Sequence, residues 1–113
     1  MSKRNEKVIL LDIILNIRHV LDFTSHIDFA TFETDIKTNY AVDRCFEIIG
    51  EATRQLPDEF MIQHQNIEWQ KMIAFRNVLI HEYFRVERQI QWNIIKQNLP
   101  QLLEKLQNLL TLL

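Results

Sequence analysis

The chain has 113 residues, of which 47% are hydrophobic and 25% charged, the balance of one ordinary globular domain covering 1–113. One glycine, two prolines and a single cysteine leave little material for a turn-rich sheet and none for an internal disulfide. No run of about 18 apolar residues exists to cross a membrane, and the lead-in Met1-Ser2-Lys3-Arg4-Asn5-Glu6 carries no signal-peptide apolar run, so a cytoplasmic protein is expected.

Leu10, Ile13, Ile14, Ile17, Val20 and Leu21 recur at helical spacing and predict a first helix from about Glu6 to Phe23. Thr24 to Asp35 holds Ser25, Asp28, Thr31 and Thr34, all able to cap or turn the backbone, with Phe29 and Phe32 as apolar anchors; this reads as a loop with a short helix. A second long helix, about Asp35 to Leu56, turns Val42, Cys45, Phe46, Ile49 and Leu56 inward and stops before Pro57. Pro57 to Gln65 is a polar connection with a helical turn at Glu59 to Gln63, after which Asn66 is the expected N-cap of a helix through Trp69, Met72, Ile73, Phe75, Val78 and Leu79.

From Val86 onward Trp92, Ile95, Leu99, Leu102, Leu106, Leu109 and Leu113 repeat in steps of three and four. The series suits either a coiled-coil seam or a helix packed into its own bundle, and its shortness and Pro100 favour the bundle. Pro100 should kink or restart this helix, because proline lacks the N–H and its ring crowds the previous turn. The whole predicts an all-α, up-and-down bundle of four or five helices.

Charge is unevenly spread. Residues 1 to 70 hold 7 Lys/Arg against 12 Asp/Glu, whereas Lys71, Arg76, Arg85, Arg88 and Lys96 face only Glu82 and Glu87 in residues 71 to 96. The positive segment contains Arg76-Asn77-Val78-Leu79-Ile80-His81-Glu82-Tyr83. Arginine is a fixed forked cation suited to phosphate, histidine exchanges protons near neutral pH, and the tyrosine hydroxyl donates, accepts or is modified. RNA backbone chemistry fits this set. The modest excess of positive charge implies that tight binding needs a second copy or a partner.

At about 100° per residue, Tyr83 lies roughly 20° from Arg76 and His81 about 140° from it, with Phe75, Val78 and Leu79 on the opposite, core side. Glu82 would then point coreward, which a carboxylate resists. A helix that ends or bends near His81 would swing His81 and Tyr83 into one cleft, and the sequence leaves both geometries open. A plainer alternative pairs Arg76 with Glu47 or Glu51 and gives His81 and Tyr83 only buried hydrogen bonds. His19, His26 and His64 are scattered without ligand spacing, so no metal site is expected. No Gly-rich phosphate loop is present, and no cofactor is expected. Cys45, Trp69 and Trp92 read as core or interface residues.

Arginine, four residues, histidine, one residue, tyrosine, with asparagine after the arginine, resembles the motif of the HEPN superfamily. Asp43-Arg44, Ile48-Ile49-Gly50-Glu51-Ala52, Ile67-Glu68-Trp69, Tyr83-Phe84, Trp92 and Leu99-Pro100 extend the likeness to its HepT-like branch, over about residues 8 to 106. The resemblance implies a homodimeric, metal-independent endoribonuclease toxin, with the catalytic residues Arg76 and His81 of two subunits facing one cleft. It also implies a minimal nucleotidyltransferase (MNT) antitoxin as partner, which would silence the enzyme by adding AMP to Tyr83, the new phosphate pairing with Arg76. Asn77, Glu47 and Glu51 are the expected supporting residues. The alternative is a non-catalytic dimer that docks the nucleotidyltransferase. Gly50, a mid-helix glycine costing roughly 1 kcal/mol relative to alanine, is expected to mark a close helix approach beside the motif.

Overall fold

A computed structural model of the chain describes residues 5–113, the side chain of Arg85 excepted. Residues 1 to 4, part of the lead-in read above as lacking a signal peptide, lie outside the described residues. Helix α1 spans Glu6–Thr24, and the Asn5 side chain caps it by accepting from the Val8 N–H at 2.9 Å. Its stripe of Ile9, Leu10, Ile13, Ile14, Ile17 and Val20 is buried. Helix α2, Phe29–Thr34, is capped by Asp28, whose carboxylate accepts from the Thr31 N–H at 2.9 Å. Its Phe32 ring stands 5.1 Å from Trp92, which fixes α2 against the later segment around that tryptophan.

Helix α3, Ile36–Arg54, buries Val42, Cys45, Phe46, Ile49 and Ala52. Pro57 opens the short helix α4, Asp58–Gln63, at the predicted turn. Helix α5 spans Trp69–His81. It starts later than an Asn66 cap requires: Ile67 is buried ahead of the helix, and Glu68 occupies the cap position without a side-chain cap bond. Burial of Ile67 and Trp69, whose indole N–H donates to the His64 carbonyl at 3.1 Å, outweighs the local capping preference of Asn66.

Helix α6, Arg88–Asn93, runs through a π-helical segment, Ile94–Asn98, into α7, Leu99–Thr111. Pro100 sits in the first turn of α7, which restarts after the π-helical segment, as expected of a proline there. The Leu99 N–H donates to the Ile94 carbonyl five residues back, and this wider turn accommodates a residue that has no N–H of its own. Lys96 in the same segment donates from Nζ to the Thr24 carbonyl at 3.2 Å, satisfying the C-terminal end of α1. The leucine series packs inward through Leu99, Leu106 and Leu109.

The result is an all-α bundle. Helices α1 and α3 form the central pair, α5 flanks α3, and α7 flanks α1. Among the described residues no strand occurs, and no helix is long and apolar enough to cross a membrane.

Candidate active site at the α3–α5 seam

Gly50 sets the geometry. A Cβ built on it would overlap the Arg76 Cβ and stand 2.8 Å from the Arg76 Cγ and 2.9 Å from the Met72 carbonyl oxygen. Only a residue without a side chain lets α3 and α5 come this close, so the lone glycine marks the crossing point at the motif arginine. The same approach draws the Arg76 stem into the seam, leaving its side chain 16% exposed. The arc drawn from ideal helical geometry placed Arg76 away from the core; the closeness of α3 covers it instead.

The neighbour of Gly50 then meets the guanidinium. Arg76 Nη2 lies 3.0 Å from Glu51 Oε2, and Arg76 Nη1 donates to Asn77 Oδ1 at 3.1 Å. Arg54 shares Glu51 from 3.6 Å. Glu51 and Asn77 thus contact the arginine, whereas Glu47 pairs with Arg44 at 3.4 Å, one turn back on α3. The reason is register, because Glu51 directly follows Gly50 whereas Glu47 lies three residues before it. Arg76 Nε is buried without a hydrogen-bond partner among the described residues.

His81 is the last residue of α5 and is exposed. Glu82 leaves the helix at φ −139°, ψ 46° and is exposed, so the carboxylate that would have faced the core ends the helix instead. Tyr83 consequently does not continue the helical face of Arg76. It begins a 3₁₀ turn, Tyr83–Arg85, and its hydroxyl accepts from Arg88 Nη2 at 2.8 Å. Burial, followed by the nearby Asp43 charge, pushes the Tyr83 hydroxyl above its ordinary range, with Arg88 partly opposing.

Arg88 belongs to a network that the motif alone does not reveal. Its Nη1 donates to Asp43 Oδ1 at 2.6 Å and to Gln91 Oε1 at 2.7 Å, and its Nη2 to Asp43 Oδ2 at 2.9 Å. Gln91 Nε2 closes the ring on Asp43 Oδ1 at 2.9 Å. Asp43 and Gln91 are buried. A signal existed in the sequence: Asp43 stands among Val42, Phe46 and Gly50 on the inward side of α3, where a carboxylate requires a cationic partner.

Around the end of α5 the surface is apolar. Ile80, Tyr83 and Phe84 are exposed, Phe84 fully, as is Tyr40, which is near enough to Tyr83 to affect its ionisation. Among the described residues no group of three or more His, Cys, Asp or Glu is placed to hold a metal ion.

Comparisons with known proteins give the family. The family model described as "Ribonuclease HepT-like" matches residues 13–109. The chain is 40% identical over 107 residues to "Probable ribonuclease HepT" of Thermococcus cleftensis, covering 95% of this chain and 97% of that one. It is 39% identical over 102 residues to "Putative RNase MJ1380" of Methanocaldococcus jannaschii, covering 90% and 94%. No solved structure matches. Through this match and the helical frame around Arg76 and His81, the chain belongs to the HepT-like ribonuclease family of HEPN proteins.

Proposed function

We propose that this protein is a metal-independent endoribonuclease, the toxin of a two-gene toxin–antitoxin module, whose site is composed across a homodimer. One observation carries the reading: Arg76 is pinned by Gly50 and Glu51 on the same helix that ends in an exposed His81.

Cleavage of RNA through its own 2′-hydroxyl needs three services. A base takes the 2′-proton, a cation steadies the pentavalent phosphate, and an acid protonates the departing 5′-oxygen. Arg76 is the cation. A single His81 cannot be base and acid in one step, so two protomers, each giving one Arg76 and one His81, supply the full set. The exposed apolar residues Ile80, Tyr83 and Phe84 at the end of α5 support this, being the kind of surface a second copy covers. The products are then a 2′,3′-cyclic phosphate and a 5′-hydroxyl.

Tyr83 is the regulatory handle in this reading. A nucleotidyltransferase antitoxin transfers AMP from ATP to its hydroxyl, releasing pyrophosphate. The added phosphate starts beside Arg88, not beside Arg76 as ideal helical geometry suggested, and its bulk and negative charge repel the RNA backbone.

The test is RNA digestion by purified protein in EDTA, beside Arg76→Lys, with the mass in solution measured by ultracentrifugation. Lysine keeps the charge but not the fork. A dimer whose activity survives EDTA and falls at least about tenfold in Arg76→Lys, the loss of roughly one charge-assisted hydrogen bond, supports the reading. A monomer, or activity lost on chelation, overturns it.

A further inference from the structure

The Asp43–Arg88–Gln91 cluster stands outside the motif, and its bonds treat the two Asp43 oxygens differently. Oδ1 accepts twice, from Arg88 Nη1 at 2.6 Å and from Gln91 Nε2 at 2.9 Å, whereas Oδ2 accepts from Arg88 Nη2 at 2.9 Å and keeps room for a second donor. The same Nη2 donates to the Tyr83 hydroxyl at 2.8 Å, so the tyrosine oxygen and Asp43 Oδ2 meet at one nitrogen. The hydroxyl is also hydrogen-bonded to the Asp43 side chain. Arginine can only donate and a carboxylate can only accept. The Tyr83 oxygen therefore accepts from Arg88 and gives its proton to Asp43.

A hydroxyl bonded to a base that a third group holds in place is the arrangement of an activated nucleophile. Gln91, fully buried and bonded to both Arg88 and Asp43, is that third group. The guanidinium lies 5.7 Å from the Tyr83 ring centroid and steadies the ring as well as the oxygen. Tyr83 is still 39% exposed, which lets an electrophile reach the oxygen from solvent. Burial and the Asp43 charge keep the hydroxyl protonated at neutral pH, so its oxygen can attack only if a neighbour takes the proton as the new bond forms.

We propose that Asp43 is the catalytic base for AMP transfer to Tyr83, a base supplied by the target and not by the transferase. This rests on the nucleotidyltransferase part of the reading above. The Tyr83 oxygen attacks the α-phosphorus of ATP, and its proton passes to Asp43 Oδ2. The bond from that phosphorus to the bridging oxygen breaks, and pyrophosphate leaves. Arg88 Nη2, already on the tyrosine oxygen, steadies the negative charge that builds there. An aspartate that takes the proton of an attacking hydroxyl serves protein kinases in the same way.

The base can be tested without the transferase. Diisopropyl fluorophosphate is a small phosphorus electrophile, and the chain offers it two tyrosines, which peptide mass mapping follows separately. Tyr83, although less exposed than Tyr40 at 63%, is labelled at least about tenfold faster near pH 7. Its rate is nearly flat between about pH 6 and 8, while that of Tyr40, drawing on phenolate, rises about tenfold per unit. The paired replacement Asp43→Asn with Arg88→Gln, which leaves no buried charge uncompensated, slows Tyr83 about a hundredfold and makes its rate climb with pH. Arg88→Lys, which keeps the carboxylate and a cation, retains the flat profile. Faster labelling of Tyr40 in the wild type, or a Tyr83 rate that climbs with pH as Tyr40 does, overturns the proposal.

The second arm measures adenylate incorporation from ATP by the nucleotidyltransferase of the proposed module. The wild type is adenylated on Tyr83 and the paired variant about a hundredfold more slowly, with the KM for ATP unchanged. Equal rates refute Asp43 as the base and leave the AMP reading standing. A wild type that acquires no adenylate refutes the AMP reading itself, whatever the labelling arm shows.

Discussion

Replacing Gly50 with alanine tests the seam on which the site is built. The new methyl would overlap the Arg76 Cβ and lie 2.8 Å from its Cγ and 2.9 Å from the Met72 carbonyl. Ordinary contacts between such atoms are about 3.5–4.0 Å, so α3 and α5 must separate by about 1 Å. Neither the Cβ nor the carbonyl is the free end of a flexible side chain, which places the overpacking cost near the upper end of the usual range, about 3 kcal/mol. Better helix propensity returns about 1 kcal/mol. The net loss is about 2 kcal/mol, a fall in Tm of about 6–12 °C for a domain of this size. Displacement of Arg76 from Glu51, now 3.0 Å away, should cost about a hundredfold in RNA cleavage, as a 1 Å misplacement of a catalytic group does. Thermal unfolding by circular dichroism and single-turnover cleavage measure the two effects. A Gly50→Ala protein that melts at or above the wild-type temperature would refute the close approach as the reason for this glycine.

Glu51→Gln should leave Tm nearly unchanged, because Glu51 is 51% exposed and such pairs contribute at most about 1 kcal/mol, while cleavage falls about tenfold as Arg76 loses its anchor; equal activity would assign Arg76 another support. Asp43→Ala leaves Arg88 charged and largely buried without its partner, and chemical denaturation should show about 3–5 kcal/mol of lost stability. Burial pushes the Cys45 thiol above its usual range, so native protein should be alkylated far more slowly than unfolded protein near pH 8. The unfolded chain loses that proton first, so this group should lower stability as pH rises above about 8.5.

The long helices were legible because their apolar spacing is long and regular, as with Ile9 to Val20 in α1. The crossing at Gly50 was legible too, since one glycine inside a helical pattern needs a reason. The end of α5 was half legible: a coreward Glu82 made an end or bend near His81 one of two open geometries, and the direction of the following turn depends on contacts with a later segment. Tyr83 finds Arg88, and Arg88 finds Asp43 45 residues earlier, a pairing fixed by where the fold places α6 and invisible to local periodicity. Glu47 and Glu51 looked equivalent because they share a helix face; only the register of the Gly50 crossing separates them.

The central claim is that Arg76 and His81 cleave RNA by acid–base chemistry through the 2′-hydroxyl. End-group analysis of RNA digested by the purified protein, beside His81→Ala, tests it most directly. The account predicts 2′,3′-cyclic phosphate and 5′-hydroxyl ends from the wild type and none above background from His81→Ala. Products ending in 3′-hydroxyl and 5′-phosphate, or undiminished cleavage by His81→Ala, would contradict it.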